Sequence, residues 1–366
     1  MTAAKKQIVV LDVMGADNHP DEIIQGGIIA SRSAKKDEGL VLVGDEEIIR
    51  RKLDSTDDCS DNISVVHAEQ VVPMDIAATE GARMKQSSVS VGLRLIKDGK
   101  ADAFVSPSNT GAVMASSLLT LGRVKGVPRP AIAALFPTSL KKPCVVLDAG
   151  ANADCRPQHL VQFGIMGSVY ASIILEVKSP RVGLLSIGEE RSKGNDLIFS
   201  ASKLLQESKI KFVGNIEGRD ILSGAVEVAV TDGFTGNILL KFAESIQPWL
   251  VASLQRQIRT NIFSRVGVTM MLPFMRRMQA AFDYSAYGGA PLLGVNGVVM
   301  ICHGASSDAA IANAVSATQK MVRGKLKDRL HQALSRNQIG TDNESKEKSK
   351  DYRDGLVCAS APDDQR

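Results

Sequence analysis

The chain has 366 residues, 44% of them hydrophobic, enough to bury a large core as one big domain or two moderate ones. A formal net charge of +4 and 4% aromatic content, with no interleaving of basic and aromatic residues, argue against nucleic acid as a partner. Five cysteines without C-x-x-C spacing exclude a disulfide framework and a zinc site and fit a reducing compartment.

The first apolar run, QIVVL at 7–11, reads as a strand, and Asp12 ends it far short of a signal h-region. No stretch approaches the roughly 18 apolar residues of a membrane span, so the expected location is the cytoplasm. Helical periodicity over 20–36 precedes two more strand-like runs, LVLV (40–43) and ISVVH (63–67). DAFVS (102–106) then runs into the turn SPSNTG and a segment placing Val113, Leu118, Leu119 and Leu121 in helical fashion. That turn joins a strand end to a helix start. Ser108, Asn109 or Thr110 can cap the helix, and small residues bare its first N–H groups, which with the helix dipole favour an anion.

AIAALF (131–136) and CVVLD (144–148) continue the strand series, followed by a helical pattern over 157–176. RVGLLSI (181–187), a helix over 193–208, KFVGNI (211–216), VEVAV (226–230) and VVMI (298–301) complete it. Aliphatic strands alternating with helices predict an α/β fold, a mainly parallel sheet covered on both faces in three layers. Glycine and acidic or amide residues follow nearly every run: Asp12 with Gly15, Ser106 to Gly111, Asp148 to Asp154, Gly188 to Glu190, Glu217 to Arg219, Asp232-Gly233 and His303-Gly304. In a parallel sheet such turns gather along the carboxyl edge of the strands, where ligands bind, and their number suggests a shared polar pocket.

Two regions break the rhythm. Residues 236–283 read as a long helical stretch, with a hairpin extension over 241–283 that carries six basic residues against two acidic ones. Within it IFSRVGVTMMLPFMRRM (262–278) is apolar, punctuated by Gly267 and Pro273 and rimmed by arginines, which suits a subunit contact or an anionic membrane surface. From 336 the chain is polar and of mixed charge, a disordered tail following an α/β catalytic domain over 1–335.

There is no G-x-G-x-x-G after the first strand, no Walker lysine motif, no G-x-S-x-G elbow and no H-E-x-x-H. His303 and Asp308 give H-x-x-x-x-D, a pattern fixing only two positions. Cys155 lies near a glycine-rich turn with His159 four residues on, and reads as a structural cysteine rather than a nucleophile.

Seven blocks together resemble, in order, the bacterial phosphate acyltransferase family of the PlsX type: LDVMGADNHP, PSNTGAVMAS, LDAGANADCRPQHLVQFGIMGSVYA, LLSIGEERSKGN, NIEGRD, TDGFTGNILLK and DYSAYGGAPLLGVNGVV. The resemblance spans roughly residues 7–325. It implies a fold similar to phosphotransacetylase and isocitrate or isopropylmalate dehydrogenase, in a homodimer associated peripherally with membrane. It implies acyl phosphate made from long-chain acyl carrier protein and inorganic phosphate, consumed by a glycerol-3-phosphate acyltransferase in phospholipid synthesis. Two blocks depart from the family's usual form. Val13 and Ala16 stand in D-A-M-G-G-D, and Pro107 and Ser108 replace Ala and Gly in S-A-G-N-T-G. Phosphate binding is therefore expected to lean on the Ser108 to Gly111 turn more than on the first one.

In such a reaction phosphate is the nucleophile, so the enzyme need not create one; the sequence points to no cofactor and no metal-ligating residues and leaves open whether a metal assists, and the enzyme must hold phosphate, stabilise an oxyanion and exclude water. The sequence offers Lys193 or Arg219 as the cation, Asn152, Asn195 and Asn237 as oxyanion donors, and His303 as the acid for the departing thiolate. Asp12, Asp17, Asp148 and Asp232 read as organisers of turns that include Gly15, Gly111, Gly150 and Gly233. The rival readings are a phosphotransacetylase using short acyl coenzyme A, a metal-dependent hydroxyacid dehydrogenase and a membrane scaffold.

Overall fold

The computed structural model describes residues 6–17, 19–56, 62–140, 142–258 and 288–337. The first half of the chain supplies strands Gln7–Asp12 (β1), Glu38–Gly44 (β2), Ile63–His67 (β3) and Ala103–Ser106 (β4). They alternate with helices Pro20–Arg32 (α1), Glu46–Asp54 (α2), Ala78–Gly81 (α3), Ser88–Lys97 (α4) and Thr110–Thr120 (α5). Next come Ala131–Phe136 (β5), Cys144–Leu147 (β6), Pro157–Ile174 (α6), Arg181–Leu185 (β7), Asp196–Glu207 (α7), Lys211–Ile216 (β8), Gly218–Ser223 (α8), Val228–Val230 (β9) and Gly233–Ile258 (α9). Ala290–Leu293 (β10), Val298–Ile301 (β11), Asp308–Arg323 (α10) and Leu326–Arg336 (α11) close the described chain.

The strands form one sheet in the order β3-β2-β1-β4-β11-β10-β5-β6-β9-β7-β8. Alternation along each strand sends side chains to two cores on opposite faces. Val9 and Leu11 of β1 join α1, α6, α7, α10 and α11 on one face, while Val10 faces the other with α4, α5 and α8. Leu239, Leu240 and Ala243 of α9 pack onto that second core. The result is the three-layer α/β/α arrangement expected.

The expectation of a single carboxyl edge is corrected. Strands β3, β2, β1, β4 and β11 run parallel, as do β6, β9, β7 and β8, but β11-β10, β10-β5 and β5-β6 are antiparallel. Three reversals point the two parallel blocks in opposite directions. β10 reverses direction against both β11 and β5 and so leaves those two running the same way; the flip comes at β5-β6, which have only residues 137–143 between them, too few for the crossover that a parallel pair needs.

The predicted hairpin over 241–283 is a continuous helix as far as Ile258. The 262–278 segment and the tail beyond 337 lie outside the described residues. Among the described residues no helix is long and apolar enough to cross a membrane.

Candidate functional site

One group of predicted residues assembles where β1, β4 and β11 end. Asp12 is fully buried; its Oδ2 accepts from Ser106 Oγ at 2.7 Å and its Oδ1 from the Met14 N–H at 3.1 Å. Burial pushes its carboxyl above the usual aspartate value, and these hydrogen bonds oppose the rise. Ser106 Oγ also accepts from the Ser108 N–H at 3.1 Å, so one carboxylate fixes two turns. Gly15 lies flat against Ser108, whose Cβ a side chain at 15 would overlap. The Asp17 N–H donates to the Gly304 carbonyl at 2.9 Å, which ties the first turn to the one carrying His303.

Asn109 is used by the fold. Its Oδ1 caps α5 by accepting from the Ala112 N–H at 2.9 Å, and its Nδ2 donates to the Met74 carbonyl at 2.6 Å. What the turn offers a ligand is therefore Thr110 and the first N–H groups of α5, at Thr110 and Gly111, where the helix has no internal acceptor for them.

A second group assembles where β6 and β9 end. Asp148 is buried and accepts from the N–H groups of Ile132 (3.0 Å), Gly150 (3.2 Å), Ala151 (3.0 Å) and Asn152 (2.7 Å), and from Asn152 Nδ2 (2.8 Å). Gly150 has φ +137°, and a Cβ there would come within 3.3 Å of Asn237 Oδ1. Asp232 accepts from the Thr235 N–H (2.8 Å) and Thr235 Oγ1 (2.9 Å), capping the first turn of α9. The Gly233 N–H donates to the Asn152 carbonyl at 2.8 Å, seating α9 on the Asp148 loop.

Both groups contribute to one cleft of about 290 Å³ over the middle of the sheet. Thr110 and His303 line it from the first group, and Gly150 and Asn237 from the second. Ile132, Ala134 and Ile301 make an apolar floor. His303 Nδ1 accepts from the Ala305 N–H at 3.1 Å, so the neutral ring carries its proton on Nε2, a donor. The cleft also contains a cation that the sequence reading overlooked. Lys241 lines it, with Nζ 2.9 Å from Glu244 Oε2. It lies four residues beyond Asn237 in TDGFTGNILLK, the spacing that puts two side chains on one helix face.

Four expectations change. Asn152 cannot serve an oxyanion, because its amide hydrogens go to Pro130 O at 2.7 Å and to Asp148. Lys193, Asn195 and Arg219 follow β7 and β8, which stand beyond β9 from β6, and none of them lines the cleft. Asn195 Oδ1 caps α7 by accepting from the Ile198 N–H at 3.0 Å. Arg219 pairs with Glu189 at 2.9 Å and Glu217 at 3.4 Å, and Lys193 is exposed, its carbonyl accepting from Asn215 Nδ2 at 3.3 Å.

The half-buried Cys155 thiol is pushed up to about 11 by burial. His159 Nδ1 accepts from the Arg156 N–H at 3.1 Å, capping α6 rather than activating Cys155. Among the described residues no three His, Cys, Asp or Glu side chains cluster to hold a metal ion.

The comparisons with known proteins agree on the lineage. Residues 7–329 match the fatty acid synthesis protein family. The phosphate acyltransferase of Desulforamulus reducens is 46% identical over 332 residues, covering 89% of this chain and 97% of that one. The phosphate acyltransferase of Myxococcus xanthus is 45% identical over 333 residues, with coverage of 90% and 94%. A phosphotransacetylase structure from Streptococcus pyogenes shares the fold at TM-score 0.59 and 17% identity, over 87% of this chain and 95% of that one. A branched-chain phosphotransacylase from Enterococcus faecalis does so at 0.53 and 12%, over 86% and 100%. A family match over nearly the whole described chain, together with relatives this similar, places the chain in the fatty acid synthesis protein family.

Proposed function

We propose that this protein is an acyltransferase that makes acyl phosphate from inorganic phosphate and a long-chain acyl thioester on acyl carrier protein, for phospholipid synthesis. The observation that carries the reading is the convergence, in one cleft with an apolar floor, of the α5 N-terminus, Lys241, His303 and Asn237. The α5 N–H groups and Lys241 suit a phosphate, and His303 Nε2–H and the Asn237 amide suit the oxyanion that forms on the thioester carbonyl. A phosphate oxygen attacks that carbonyl, the C–O bond forms, and the C–S bond breaks with its electron pair leaving on sulfur. The proton carried by hydrogen phosphate ends on the thiolate, since the acyl phosphate is the weaker base. His303 does not relay it, because its Nδ1 is held by the Ala305 N–H and its Nε2–H is given to the oxyanion. The relatives' name, phosphate acyltransferase, agrees with this chemistry.

A groove of about 670 Å³ whose lining includes Arg123, Lys125 and Arg156 and no acidic side chain suits an acidic carrier-protein surface and the phosphates of coenzyme A alike, so the choice of carrier protein rests on the resemblance of the seven sequence blocks. The exposed Phe234, Ile238, Phe242 and Trp249 of α9 suit a homodimer contact. The apolar, arginine-rimmed sequence 262–278 suits reversible contact with anionic membrane, which would deliver product to a glycerol-3-phosphate acyltransferase there.

The test is hydroxylamine trapping of acyl phosphate from phosphate with palmitoyl carrier protein, palmitoyl coenzyme A or acetyl coenzyme A. Product should be greatest with the first. No trapped product from any of them would reject the function, and a preference for acetyl coenzyme A would favour the short-chain reading. Liposome flotation of Met271→Glu and Leu272→Glu tests the membrane contact, which unchanged flotation would reject.

A further inference from the structure

A second cavity, of about 330 Å³, opens beside the cleft between the end of β5, α8 and α9. The two share three wall residues, Leu135 of β5 and Leu240 and Glu244 of α9. The shared residues, not a common helix face, make the two spaces adjacent. Asn237, Leu240, Lys241 and Glu244 make a strip along α9 at i, i+3, i+4 and i+7 that faces the cleft. Leu239, Phe242, Ala243 and Ile246 repeat the spacing two residues on, about 200° round the helix, and face the second cavity, and the two spaces meet at the shared Leu240 and Glu244. A ligand leaving the cleft past Leu135, Leu240 and Glu244 thus enters it without crossing the sheet.

The two spaces differ in chemistry. The cleft contains Thr110, Asn237, Lys241 and His303, whereas the second cavity is walled chiefly by aliphatic and aromatic side chains, among them Phe136, Ile221 and Leu222. Its charged lining residues are already paired, Arg219 with Glu189 and Glu217, and Glu244 with Lys241. Nothing there asks for a polar partner, so a flexible hydrocarbon chain gains from leaving water and forfeits no hydrogen bond.

We propose that this cavity holds the alkyl tail of the acyl group while its carbonyl lies in the cleft, and that Ala243 and Leu222 help set the accepted chain length. The assignment rests on the acyl-transfer reading for its substrate, but the cavity can be tested without turnover. Ala243→Phe fills it from α9. Leu222→Glu brings a charge to its rim at a side chain already 43% exposed, where folding tolerates the change.

The experiment measures kcat/KM for hexadecanoyl and butanoyl thioesters of carrier protein, together with binding of dansyl-undecanoic acid by fluorescence. Both variants should lower the hexadecanoyl to butanoyl ratio at least about tenfold and weaken the probe, with butanoyl transfer retained. An unchanged ratio and unchanged probe binding in both variants would overturn the cavity assignment and leave the acyl-transfer function standing. If the wild type transfers no acyl group yet binds the probe, and both variants lose it, the tail site stands and the function fails.

Discussion

Asp148→Asn isolates what holds the second half of the site. Asp148 Oδ1 accepts from three N–H groups, those of Ile132, Gly150 and Ala151, and Oδ2 accepts from the Asn152 N–H and Asn152 Nδ2. Asparagine is nearly the same size but can present an oxygen to only one of these sets. With its oxygen toward the three donors, its NH₂ meets two donors of Asn152, so two buried hydrogen bonds are lost and donors face donors. Asn152 cannot simply turn away, because its Nδ2 is also held by the Pro130 carbonyl at 2.7 Å. At about 1–3 kcal/mol for each buried donor left unpaired, the expected loss is about 2–6 kcal/mol. That is a large share of a typical stability of about 5–15 kcal/mol. Equilibrium urea unfolding followed by circular dichroism measures it, with Asp148→Ala as the stronger perturbation. Acyl transfer at saturating substrates should fall as well, since Gly150 and Asn237 line the cleft from this loop and the helix seated on it. A loss of less than about 1 kcal/mol with normal turnover would refute the argument that this carboxylate organises the site.

Three further outcomes are expected. Lys241→Ala should raise the phosphate KM at least about tenfold, about 1.4 kcal/mol, while Lys193→Ala leaves it within about twofold; the reverse pattern would return the cation's role to Lys193. Cys155→Ser should retain most activity, and iodoacetamide should label Cys155 slowly at pH 8, where a thiol at about 11 is ionised in about one molecule per thousand; rapid labelling or an acylated Cys155 peptide in mass spectra would contradict this. Burial alone would raise the Glu227 carboxyl, but hydrogen bonds from the Arg181 side chain and backbone hold it below the usual glutamate value. The stabilisation is therefore present above an unfolded pKa near 4.5 and is lost as pH falls through the lower folded value. Glu227→Gln should cost about 1–2 kcal/mol at neutral pH, because the pair is only partly shielded from water, and the gap should close in acid.

The sequence made the alternation of strands and helices legible because the buried strands carry near-continuous aliphatic runs. β10 was not legible, since Ala290, Pro291, Leu292 and Leu293 acquire strand geometry from the partners on either side. Reading the turns as one edge had another cause, the short connection over 137–143 that makes β5 and β6 an antiparallel pair. Within the site, the glycine turns, Thr110, Asn237 and His303 could be named because small and amide residues after aliphatic runs have a physical reason to be there. Lys193 and Lys241 could not be ranked from sequence. Both are lysines near amides, and only the strand order β6-β9-β7-β8 sets the turn carrying Lys193 apart from the cleft. Asn109 and Asn152 show a related limit: an amide's donors look available in sequence until the carbonyls that take them, Met74 and Pro130, are located in space.

The place of β10 in the sheet also governs when the cleft can come into being during synthesis. Strands β4 and β5 are separated in the sheet by β11 and β10, which are made more than 150 residues after β5 begins. Until residues 290–301 emerge, the two halves have no backbone ladder between them and remain two separate partial sheets, each with an open edge. The first half also waits for Ile311 of α10, which fits where Gly26 of α1 leaves room. Closure over so long a sequence separation is slow, and the waiting edges of β4 and β5 are the places where another chain could pair instead. A nascent chain halted after Ile258 therefore has the α5 N-terminus, Asn237 and Lys241 in hand but neither His303 nor a cleft for an acyl group, and the last strands to be synthesised turn the enzyme on.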